Sequence, residues 1–168
     1  MTDDEFLELV AHFCERALPA QVGRHVYLWH GKIAPLTLRL SGTVVQTLNL
    51  HELAAGLSRA PRSVDAARSL LNEAIASQMS RLISPHGQQI VLVTGCDLLS
   101  RYGMRLTPFV EYVSDRVMVI FVLAPDETRF QPPVPLPSYI SLEPDAPLAY
   151  LQNMIDKRAV IDNVEEVI

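Results

Sequence analysis

Cysteine, tryptophan and clustered charge are what this sequence has least of. Two cysteines, Cys14 and Cys96, are too few and too isolated for a disulfide framework or a zinc cluster, so both read as reduced core thiols. No run approaches the roughly 18 to 20 uncharged apolar residues of a membrane span. The acidic start MTDDEFLEL is unlike a basic, then apolar, secretory signal. These absences predict a cytoplasmic chain with no membrane contact. The histidines, His12, His25, His30, His51 and His86, show no metal spacing with acids or cysteines, and no serine sits in a nucleophile elbow. No metal, no cofactor and no catalytic residue is expected.

What is present suits one compact domain: 168 residues, 49% of them hydrophobic and 20% charged, are enough for a sizeable core. The net charge of −5 conceals a segregation. Residues 1–15 carry five acids and no base, residues 16–142 twelve bases against eight acids, and residues 143–168 six acids against two bases. Acidic ends could dock on the basic body, or a basic face could meet nucleic acid or an acidic partner. Twelve of the fourteen bases are Arg, but without a Lys/Arg run they describe a solvated, salt-bridged surface better than a binding patch.

The stretch Gln89 to Pro125 organises the rest. Two apolar runs, Ile90 to Val93 and Val117 to Ala124, flank a polar turn and one short helix. Continuous Val- and Ile-rich runs suit a parallel sheet covered on both faces, whose strand ends are the natural place for chemistry. Upstream, Thr2 with Glu5 forms a capping box for an acidic N-terminal helix over 2–18, ended by Pro19. Val26 to Trp29 and Val44 to Leu50 read as strands, with a short helix or irregular bridge around Pro35 between them. His51 and Glu52 open a brief helix, and Ser63 caps the longest one. Seven of the twelve prolines fall in the segment 125–147, read as an extended loop with a short strand near Tyr139 to Leu142. A last helix runs from Leu148 to about Asp156, and the acidic end DNVEEVI can add an edge strand. The fold class is therefore α/β, three-layer, with a mostly parallel central sheet of about five strands flanked by helices, in a single domain over 1–168.

Strand, Gly-Lys, short helix, strand, long helix, strand ending near an acid, helix, strand is the order of a compact P-loop NTPase core. With it, TLNLHELAAGLSRAP, IVLVTGCDLL and YVSDRVMVIFVLAP give a chain that resembles the small P-loop protein of BREX-type phage-defence systems over roughly residues 26–142. The resemblance implies a P-loop NTPase-like scaffold, a place for nucleotide at Gly31 and Lys32, a catalytic acid at Asp97, and other defence-system proteins as partners.

Departures from that pattern carry as much information. A phosphate loop needs Gly-rich backbone whose N–H groups wrap the β-phosphate, and a hydroxyl for magnesium. Here Trp29 and His30 run straight into Gly31-Lys32-Ile33, and Thr94 stands where the family places its magnesium-orienting Asp. The leading expectation is a degenerate, non-catalytic NTPase acting as an adaptor or regulatory subunit of a bacterial anti-phage defence complex. Lys32 is then a surface lysine and Asp97 an N-cap. One alternative is an atypical ATPase subunit built on Lys32 and Asp97, completed by a neighbouring subunit's arginine. Another is a DNA-binding subunit using Arg101, Arg105 and Arg116, with DNA contacted only within the complex. A homo-oligomer docked through the basic body and the anchors Phe130, Val134 and Leu136 also fits. A cysteine nucleophile at Cys96 with His30 nearby lacks an orienting third group.

Overall fold

The computed structural model describes residues 1–15, 25–40, 42–57, 60–125 and 143–164. Thr2 starts the first helix, α1 (Asp3–Cys14), through the expected capping box: the Glu5 N–H donates to Thr2 Oγ1 at 3.2 Å and the Thr2 N–H to Glu5 Oε2 at 2.8 Å. The bond from the Thr2 backbone holds the Glu5 carboxyl below the usual range. α1 ends at Cys14 with Glu15 as its C-cap, earlier than Pro19, which lies outside the described residues.

β1 (Val26–Gly31) leads into α2 (Ile33–Arg39), then β2 (Val45–Asn49), α3 (Leu50–Ala55) and α4 (Val64–Leu82). Pro35 falls in the first turn of α2, where N–H groups have no helical partner to lose, so the helix tolerates it. Ser63 caps α4 by accepting from the Ala66 N–H at 3.1 Å. The buried stripe of α4 is Ala67, Leu71, Ile75 and Met79, with Leu70 and Ala74 half-buried at its margins. β3 (Gln89–Thr94) and β4 (Val117–Leu123) follow the two apolar runs. Two short helices rather than one, α5 (Asp97–Arg101) and α6 (Thr107–Val110), join them. After α7 (Ala146–Gln152) and a 3₁₀ turn (Lys157–Ala159), β5 (Val160–Asn163) adds the fifth strand. The strand expected near Tyr139 to Leu142 lies outside the described residues.

All five strands are parallel, in the order β2-β3-β4-β1-β5. The step from β1 to β2 crosses the sheet in one direction, and the later steps go the other way. Right-handed crossovers therefore put α2 on one face and α3 to α7 on the other. Two separate cores bear this out. Phe6, Phe13 and Leu36 of α1 and α2 pack on Trp29, Leu92 and Ile120, whereas Leu71, Leu99 and Phe109 pack on Leu28, Val91 and Phe121. Every residue of β4 is buried, which is why its sequence shows no alternation.

His25, 5% exposed, sits just before β1 with its ring 5.0 Å from that of Phe13 in an edge-on contact. Burial lowers its pKa below the ordinary 6.5, against a smaller opposing pull from Asp115. The unfolded chain thus takes up a proton at His25 at a higher pH than the folded one. Stability associated with the neutral ring is complete above 6.5 and is lost as pH falls from there to the lowered folded value. Urea titrations of the wild type and His25→Phe should give curves that run parallel above that window and diverge below it, the wild type losing stability faster. Parallel slopes throughout would contradict this assignment.

Candidate functional site

In a sheet of this kind the connections leave adjacent strands in opposite senses at one point, and the crevice outside the carboxyl ends there is where ligands bind. That point lies between β1 and β4. A cleft of about 280 Å³ is found there, lined by His30, Asp97, Leu123, Pro125, Asp145 and Leu148 among others. Its lining offers two carboxylates and, among the described residues, no lysine or arginine. A phosphate group would meet like charge.

The Gly-Lys pair at the end of β1 is built for packing. Gly31 is still part of the strand, opposite Asn163 of β5, and a Cβ on it would come to 3.0 Å from Asn163 O and 3.1 Å from Trp29 Nε1. The close approach of β5 calls for glycine there. Lys32 is the N-cap residue of α2, exposed and without a side-chain cap bond, and its carbonyl accepts from Trp29 Nε1 at 3.0 Å. Trp29 is wholly buried, with Arg39 5.7 Å above its ring. Arg39 donates to Asp3 at 2.8 Å, and Asn163 donates to the same carboxylate. This knot ties α1, α2 and β5 together around the end of β1. Strand passes to helix through one residue.

Asp97 is not the N-cap that its position suggested. Cys96 holds the cap position of α5, and the Asp97 side chain turns away to His51, whose Nε2 lies 2.5 Å from Oδ1. Arg101, one helical turn on, places NH1 3.8 Å from Oδ2. Asp97 is 7% exposed and Arg101 3%, so this is a buried ionic cluster. Gly95 makes it close: its φ is +72°, and a Cβ there would meet His51 Cδ2 at 2.8 Å. Asn49 completes the frame by accepting from the His51 and Glu52 N–H groups at 3.0 and 3.3 Å, capping α3.

The chain matches no family model, no curated protein and no solved structure.

Of the residues singled out from sequence, Asp97 and Arg101 are brought together, and Gly31 and Lys32 stand apart from them at the end of β1. The three arginines form no common surface. Arg101 is buried, which removes it from any docking or DNA face; Arg105 is exposed; Arg116 lies at the opposite end of the sheet, before β4, where NH1 donates to Pro85 O at 2.9 Å. Phe130, Val134 and Leu136 lie outside the described residues. Cys96 is a buried core thiol whose Sγ donates to Val93 O at 3.2 Å, while His30 is engaged with Asp162 at 3.1 Å. Cys14, half-buried, lies 3.7 Å from Thr43 Oγ1. Among the described residues no group of three His, Cys, Asp or Glu is placed to hold a metal ion, and no helix is long and apolar enough to cross a membrane. The His51 pairing escaped the sequence reading, because it depends on β2 and β3 lying side by side and ending in register at Asn49 and Thr94, which brings residues just beyond both ends together.

Removing Asp97 takes away the carboxylate that faces a buried guanidinium, so Asp97→Ala should cost about 3 kcal/mol or more in urea unfolding. His51→Gln, which keeps a donor, should cost nearer about 1 kcal/mol. Gly95→Ala, strained by its φ and by His51, should exceed about 1 kcal/mol. Equal, small losses from all three would show that the cluster contributes little.

Proposed function

We propose that this chain is a non-catalytic adaptor or regulatory subunit, built on a P-loop NTPase-like scaffold that has lost its phosphate loop. The observation that carries the reading is the direct passage from β1 into α2. Gly31 is paired to β5, Ile33 already begins the helix and Pro35 lacks an N–H, so the backbone between strand and helix is too short to wrap a phosphate. The residue matching the family's catalytic acid supports the same conclusion. Asp97 is committed to His51 and Arg101 instead of facing an attacking water. The setting, an anti-phage defence complex with other defence-system proteins as partners, rests on the sequence resemblance alone.

Titration calorimetry with ATP and magnesium tests the loss of nucleotide binding. No heat of binding is expected, and Lys32→Ala should behave as the wild type. A dissociation constant in the low micromolar range, abolished by Lys32→Ala, would overturn the reading. Isolation of the intact complex under native expression then tests the setting, with defence-system proteins as the expected companions.

A further inference from the structure

The two edges of the sheet differ in chemistry. β2 pairs with β3 alone among the described residues, and β5 with β1 alone. The Ile90 N–H donates to Val44 O at 3.0 Å. In a parallel ladder this turns the backbone groups of Val44, Gln46 and Leu48 toward β3, and those of Val45, Thr47 and Asn49 to the open side. Edges that stay unpaired are commonly blunted by lysine, proline, a bulge or an inward charge. β2, of sequence VQTLN, has no charge and no proline. Val44, at 59% exposure, directly precedes it, and Leu38, at 74%, lies in the helix leading to it. The other edge carries the exposed carboxylate of Asp162.

We propose that the β2 edge is a docking surface for a second copy of this chain, the two β2 strands pairing antiparallel about a two-fold axis at Thr47. The outward residues are arranged symmetrically about that position. A two-fold there sets Thr47 against its own copy, exchanging both backbone hydrogen bonds, and Val45 against Asn49. Threonine opposite threonine is a favourable cross-strand pair. Charge selects this edge for self-pairing. The chain carries a net −5, so the β5 edge would bring Asp162 carboxylates of two copies together, whereas the β2 edge meets itself without like charge. Five paired residues with Val44 and Leu38 alongside make a modest interface, so the dimer depends on concentration. This surface is independent of the strand-end cleft and of the reading built on it.

Sedimentation equilibrium of the full chain, over a range of protein and salt concentrations, tests the proposal. The mass should rise from 18.7 kDa toward twice that value with concentration, and rising salt should not reverse it. Thr47→Pro should abolish the dimer while leaving the circular dichroism spectrum and melting temperature near those of the wild type, because the lost N–H points away from β3. Gln46→Pro, whose N–H points toward β3, should weaken the fold itself. Thr47→Lys sets like charges at the axis without touching the backbone, and decides the matter if the proline variant unfolds. A monomer at every concentration, a dimer that dissolves in salt, or a dimer that survives Thr47→Lys would each overturn the proposal.

Discussion

A parallel strand cannot reach its neighbour through a hairpin. Each step between strands must therefore leave the sheet, cross a face and return, and all four strand-to-strand steps here obey that constraint. The constraint explains why both faces are covered and why β4, the middle strand, is apolar throughout. It also gathers the loops that follow β1, β2, β3 and β4 at one end of the sheet. Asp97, His51, His30 and the cleft owe their proximity to that shared direction.

Two sets of internal contacts are built at this end, beside the cleft. One half is the Trp29, Arg39, Asp3 and Asn163 knot, which fastens the end of β1 to its neighbours. The other half is the Asp97 cluster, in which a buried carboxylate has a cation on one side and an imidazole on the other. Buried ionic groups of this kind seldom add net stability over apolar ones, but removing one member is costly. Both halves occupy their groups with one another, leaving little for a ligand with phosphate charge.

The layering was legible in the sequence because it depends on local patterns. The Val/Ile runs of β3 and β4, the capping box at Thr2 and the Ser63 cap each act over a few residues and survive any tertiary arrangement. The fifth strand was harder to place: β5 is four residues long and its apolar content is ordinary, so only pairing with β1 makes it a strand. The site was legible in part. Gly31, Lys32 and Asp97 drew notice for their types and spacing, yet the reasons for them are contacts across the sheet: Asn163 against Gly31, His51 against Asp97 and Gly95. Arg101 looked like a surface base because nothing local announces that a helix of five residues will be buried along its whole length.

The one-residue passage from β1 to α2 bears on how such a chain can change over evolutionary time. Replacing Ile33 by threonine would add a hydroxyl but no phosphate cradle, since a cradle needs length of backbone and not one side chain. Making room for a phosphate-wrapping loop would require inserting residues between His30 and Lys32, which would part Trp29 from the Lys32 carbonyl and Gly31 from β5 in the same event. Single substitutions therefore lead nowhere along that route: drift is free to remodel the surface of this scaffold, while a backbone that wraps phosphate stays out of reach.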